Sequence, residues 1–246
     1  MSERRRTVIV VTSVTLIVGG VLSTGYFNVW ASSSQGLVIA HSGKHGGRLS
    51  AGDHVFMATQ SDGKAPITYD PCKPIHVVVN DRMAIKNDSR LVDQAIDRVK
   101  KASGLSIVVD GTTDEEPSRE RPIHVDRYDP VYAPVLLAWS DPKQSPKLAG
   151  DVAGYAGSRA VADGNRWMYV TGSVTLDGPQ LDELLGQRDG WASARAVVMH
   201  ELGHLVGLDH VDAHGELMQP KGQPGLVSWG TGDLAGLAVL GSGQCA

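Results

Sequence analysis

His200-Glu201-Leu202-Gly203-His204-Leu205-Val206-Gly207-Leu208-Asp209-His210 is the stretch on which the fold and the chemistry of the chain turn. His200 and His204 are four residues apart, so on a helix they share one face, one turn apart. Both imidazoles can then reach one metal ion, at nitrogen–zinc distances of ~2.0–2.1 Å. Glu201 projects beside that pair, placed to hold a water and not to ligate. Gly207 permits a tight turn that ends the helix, and the returning chain brings in His210 as third ligand. Three neutral nitrogen ligands leave a fourth position open, which is the catalytic and not the closed structural arrangement. Zinc in such a site acidifies water and polarises a carbonyl. Glu201 is the candidate general base, and hydrolysis of peptide bonds is the reaction class that follows. No Gly-x-Ser-x-Gly stretch competes with this reading.

Upstream of the motif, Ala192, Ala194, Ala196, Val197 and Val198 predict a helix running from Gly190. Residues 75–80 (IHVVVN) read as a buried strand. Leu91, Val92, Ala95, Ile96, Val99 and Ala102 recur at helical spacing, with Ser89 as the expected N-cap and Gly104 as the stop. Strands are expected again at 105–110, 135–140 and 168–176, with a short glycine-bearing edge strand at 153–158. This strand–helix–strand order predicts a mixed α/β fold. Asp209 and Asp212 are expected to shape the turn around His210. His214 reads as a loop residue, His76 and His124 as packing or surface residues, and Trp139, Trp167 and Trp191 as core.

At the other end, Arg4, Arg5 and Arg6 precede a run, residues 7–25, that carries no charge. That layout predicts a secretory signal or a signal anchor within residues 1–31, with the N-terminus cytoplasmic and the rest exported. The run is intermediate in length, and cleavage and anchoring both remain open. Residues 32–66 are expected to be a flexible linker, with His41, His45 and His54 in it, and residues 67–246 the folded domain. Two cysteines in an exported chain suggest one disulfide, Cys72–Cys245. The alternative is two free thiols. The chain of 246 residues is 41% hydrophobic with a net charge of −4, which excludes a mostly disordered chain and gives no basic footprint for nucleic acid.

The motif, followed by Glu216-Leu217-Met218-Gln219-Pro220, resembles the metzincin zinc peptidases, whose Met-turn methionine corresponds to Met218. The Leu-Met-x-Pro form is most similar to the matrixins. The stretches Tyr69-Asp70-Pro71-Cys72-Lys73-Pro74-Ile75, Ala138-Trp139-Ser140, Asp151-Val152-Ala153-Gly154-Tyr155 and the terminal Gly-Ser-Gly-Gln-Cys extend the likeness to a group of exported bacterial matrixin-like proteins. The resemblance implies an α+β catalytic domain, with a twisted, mostly parallel sheet, an antiparallel edge strand, a long active-site helix, a Met-turn and a C-terminal helix at 232–240. It also implies one catalytic zinc and a protein or peptide substrate bound as an extended strand along Gly154, Tyr155, Ala156 and Gly157. Residues 141–162 hold no histidine, so no second zinc is expected, and calcium stays open. Matrixins stay latent through a propeptide cysteine, and the resemblance leaves Cys72 as an alternative latency switch beside the disulfide. A monomer touching the membrane only through its N-terminal segment is expected. The alternative function is a membrane-anchored module that holds zinc and cuts nothing.

Overall fold

The computed structural model describes residues 52–118, 120–128 and 132–246. In chain order the regular elements are β1 (Val55–Phe56), β2 (Ile75–Asn80), α1 (Asp88–Ser103), β3 (Ile107–Thr112), β4 (Val135–Ser140), β5 (Gly154–Asp163), β6 (Arg166–Asp177), α2 (Gly178–Leu185), α3 (Gly190–Val206), β7 (Leu208–Asp209) and α4 (Thr231–Gly241). Five strands form one sheet in the order β3-β2-β4-β6-β5. The pairs β2/β3, β2/β4 and β4/β6 are parallel, and β5 runs antiparallel along the outer edge of β6. The fold is therefore the mixed α/β architecture with an antiparallel edge strand.

The sequence of β4 explains its central place. All six residues of VLLAWS are buried, as a continuous apolar run requires when both faces of a parallel strand are covered. On one face lies the main core, where Leu91, Val92, Ala95, Ile96 and Val99 of α1 meet Val197, Val198, Leu202 and Leu205 of α3. On the other face Val78, Leu136 and Ala138 form a small cluster beneath Tyr128. Buried Arg121 pins the β3–β4 loop there. It is ion-paired with Glu115, and its Nη1 donates to Thr171 Oγ1 and the Gly172 carbonyl.

Three expectations need correction. The helix α1 begins at Asp88, with Asn87 in the left-handed region at φ 62°, and Ser89 lies inside it. Asn tolerates that conformation better than most residues. Gly104 does end it, at φ 80°. The helix α2 was not anticipated; it is only eight residues long, and Asp177 caps it by accepting the Gln180 N–H.

The third correction concerns the linker expected over residues 32–66. Its described part is folded. Val55 and Phe56 pair with Asp209 and Leu208, Met57 N–H donates to the Gly207 carbonyl, and Ile67 N–H donates to that of Ala58. His54 stacks edge-on against Phe56 and lies on Gly236 of α4. A strap held by main-chain bonds and glycine contacts carries no side-chain periodicity, so its sequence reads as a linker. The expected export segment, with the uncharged run 7–25, and His41 and His45 lie outside the described residues. No helix among the described residues is long and apolar enough to cross a membrane.

Candidate metal centre and active site

Thirteen of the seventeen residues of α3 are buried, so this helix runs through the molecule instead of lying on its surface. His200, Glu201 and His204 are fully buried on it. The helix stops at Gly207, whose φ is 124°. A Cβ there would also lie 2.9 Å from Leu240 Cδ2, so conformation and space both demand glycine. The chain then pairs with the strap through β7 and delivers His210.

The three imidazoles converge. Their Nε2 atoms lie 3.0 Å (His200–His204), 3.2 Å (His200–His210) and 3.3 Å (His204–His210) apart. His200 Nδ1 donates to the Leu217 carbonyl at 2.7 Å, and His204 Nδ1 donates to the Leu208 carbonyl at 2.8 Å. A carbonyl only accepts, so both Nδ1 atoms carry the proton and both Nε2 atoms present lone pairs. Lone pairs 3.0 Å apart repel unless a cation lies between them. A tetrahedral ion with bonds of about 2.05 Å sets its ligand atoms roughly 3.3 Å apart, and the triangle fits zinc on that ground.

Electrostatics agree. Burial lowers the His200 imidazole well below its ordinary 6.5, with His204 and His210 adding to the shift. Burial pushes His204 down to about 4. Burial, with His204 beside it, lowers His210 to about 3, against the pull of Asp209. All three are thus neutral at physiological pH, the form that ligates. Burial raises the Glu201 carboxyl well above its ordinary value. Neither of its oxygens has a hydrogen-bond partner among the described residues.

Met218 is 1% exposed and packs against α3 at Gly203. Its Sδ reaches 2.7 Å from where a Gly203 Cβ would be, with the Trp229 ring 3.3 Å from the same point. Val211 N–H donates to the Met218 carbonyl and closes the loop. Two buried carboxylates hold this turn: Glu216, which opens the quoted Glu216–Pro220 stretch, and Asp233, which no sequence motif singled out. Asp233, fully buried, accepts N–H bonds from Leu217, Met218 and Gly230. Burial raises its carboxyl, against those bonds. Glu216, also buried, accepts from the N–H groups of Asp233 and Gly52 at 2.9 Å each. The only signal for Asp233 was its place three residues after Gly230, at a helix start.

The remaining expected residues fall as follows. Gly154, Tyr155, Ala156 and Gly157 lie on β5, the outer strand beside α3, and Lys147 Nζ lies over the Tyr155 ring. Asp209 accepts the His210 N–H at 2.7 Å and so does shape the turn; Asp212 and His214 are exposed. His76 is a surface residue paired with Asp110, and exposed His124 stacks on Tyr132. Trp139 is buried in the core, and Trp167 and Trp191 pack against it. Cys72 is bonded to Cys245, Cα to Cα 5.4 Å, so its thiol is not available as a latency switch.

The family model for matrixin matches residues 139–236. That span runs from Trp139 in β4 into α4 and takes in the three histidines, Glu201, Met218 and Asp233. The match supports a matrixin-like metzincin over residues 139–236 and, with it, a zinc metallopeptidase. No curated protein sequence matches the chain.

Proposed function

We propose, on the premise of a matrixin-like core over residues 139–236, that the protein is a zinc-dependent endopeptidase in which His200, His204 and His210 hold the ion and Glu201 is the general base. One observation carries this reading. Three Nε2 atoms converge on a single point, and the residue next to His200 on the same helix presents a buried carboxylate without a hydrogen-bond partner among the described residues.

Zinc bound at the triangle supplies a Lewis acid that acidifies water and polarises the scissile carbonyl. Glu201 takes a proton from the attacking water and passes it to the departing amine. The hydrogen bonds to Leu217 and Leu208 keep the His200 and His204 rings turned toward the ion. The substrate lies extended along the free edge of β5, at Gly154, Tyr155, Ala156 and Gly157, and pairs with its main chain. The enzyme acts outside the cytoplasm as a monomer. It is secreted, or held to the membrane by residues 7–25.

The test is cleavage of an unstructured protein by the full-length, zinc-loaded chain beside Glu201→Ala. The parent should cleave, and loss of the base should cost ~10²–10⁴-fold. Stoichiometric zinc without cleavage by the parent would turn the reading to a zinc-holding binding module.

A further inference from the structure

Gly154 opens strand β5 directly against Glu201. A Cβ on Gly154 would lie 2.9 Å from Glu201 Cγ, 3.1 Å from Glu201 Cδ and 3.1 Å from the Thr175 carbonyl oxygen. Side chains do not approach carbon at 2.9 Å, so a residue with a Cβ here forces something to move.

Which atom moves decides the consequence. The Thr175 carbonyl belongs to the β5/β6 ladder, where Gly154 pairs with Leu176 and Tyr155 with Thr175. It retreats only if that ladder is disturbed. The Glu201 side chain has rotatable bonds, and neither carboxylate oxygen has a hydrogen-bond partner among the described residues. It is the softer neighbour. The ligand histidines differ on this point, because His200 and His204 are tied through Nδ1 to main-chain carbonyls. The base is located by its walls, and Gly154 is its wall on the sheet side.

We infer that Gly154 is a positioning residue for Glu201: the bare backbone at the start of β5 sets where the base carboxylate sits. The inference rests on the reading of Glu201 as the base. It also means that one strand both receives the substrate and locates the base, so the two share a reference frame. A residue with a Cβ at 154 leaves the ligands in place and displaces the base.

The experiment measures kcat, KM, zinc content and Tm for four full-length proteins: wild type, Gly154→Ala, Glu201→Ala and the double variant. Ordinary contact at 3.4 Å requires Glu201 Cγ to retreat by about 0.5 Å from 2.9 Å; a misplacement of about 1 Å costs on the order of 10²-fold, so Gly154→Ala should lower kcat by at least about tenfold, with KM within about twofold. Zinc should stay stoichiometric. Glu201→Ala removes both Cγ and Cδ, the two atoms the added methyl would meet, so in that background the same change should cost the residual turnover less than about threefold. An unchanged kcat in Gly154→Ala, or an equal cost in both backgrounds, overturns the inference. A wild type without activity defeats the peptidase reading, and a thermal cycle then decides the contact separately. Gly154→Ala should lower Tm in the wild type and leave it unchanged in Glu201→Ala, even if the single variant is too unstable to assay. An equal loss in both backgrounds assigns the clash to the Thr175 carbonyl and removes the inference.

Discussion

His200 and His204 stand on a helix buried along most of its length, whereas His210 and Met218 stand on chain with almost no regular structure. On the helix side, α3 places the groups by its own 3.6-residue repeat, and apolar packing holds the helix. On the other side, from Gly207 to the C-terminus, buried carboxylates do that work. Asp233 gathers three main-chain N–H groups of the Met-turn and the α4 cap. Glu216 joins that knot to the strap at Gly52. A helix satisfies its own backbone, while an irregular loop buried at a site must find acceptors elsewhere. The difference teaches where each half is fragile: the helix half in its chemistry, the loop half in its folding.

The sharpest break in that comparison is expected on the helix side. Glu201→Ala should abolish nearly all turnover, by ~10²–10⁴-fold, and yet leave the metal-free Tm unchanged or higher, because a buried carboxylate without a hydrogen-bond partner is removed. Turnover and thermal melts of the same preparations check this, and a large fall in Tm would contradict it. On the loop side, Asp233→Ala should do the reverse. Each buried N–H left without an acceptor costs ~1–3 kcal/mol, and the Leu217 and Met218 bonds are buried, so the change should cost at least about 2 kcal/mol. Urea unfolding measures that loss. Zinc affinity should fall with it, since the Leu217 carbonyl that orients His200 sits in the freed turn. A loss under about 1 kcal/mol would show that water replaces the carboxylate there.

The same contrast governs what was legible in the sequence. The His200–His210 motif, the apolar repeat of α1 and the strands at 75–80 and 135–140 are periodic signals, and the structure has them where the pattern puts them. Met218 was legible only through family resemblance, because a lone methionine has no spacing of its own. Asp233 was illegible, since acids outside a motif are usually solvated, and Glu216, though inside the quoted Met-turn stretch, gave no sign of its burial. Their burial follows from donors contributed by Gly52, Leu217, Met218 and Gly230 in separate segments. The strap at Val55–Phe56 was lost for a related reason: its partner strand is only two residues long and lies some 150 positions away. Gly154 was placed on the edge strand, but its contact with Glu201 comes from tertiary packing alone.

The C-terminal end of the loop half is tied down covalently, and removing that tie should act on stability alone. The disulfide closes a loop across 173 residues. Replacing Cys72 and Cys245 together by Ser should cost about 3 kcal/mol, within the usual ~2–5 kcal/mol for a native bridge. Urea midpoints with and without reductant measure it, and reductant should move the parent and not the variant. Turnover at temperatures well below the melt should be unchanged, because neither cysteine reaches the histidine triangle. A lost zinc ion in the double variant would mean that the knot reaches the site after all.

A smaller, pH-dependent tie sits beside that bridge. Burial pushes the Asp70 carboxyl up, but the Cys72 N–H, Lys73 Nζ and the Ala246 N–H outweigh it and hold the group below its ordinary 3.8. A folded-state value below the unfolded one means that the unfolded chain takes up the proton first as pH falls. The contribution is therefore complete above about 3.8 and is lost as pH drops through the folded-state value. Asp70→Asn removes that dependence. Melts from about pH 6 down to about pH 2.5 should show the parent more stable at the upper end and the two proteins converging at the lower. A gap that stays constant over the range would mean that Asp70 acts through shape and not charge. The C-terminus would then be held by the disulfide and packing, leaving Glu216 and Asp233 as the carboxylates that organise this half of the molecule.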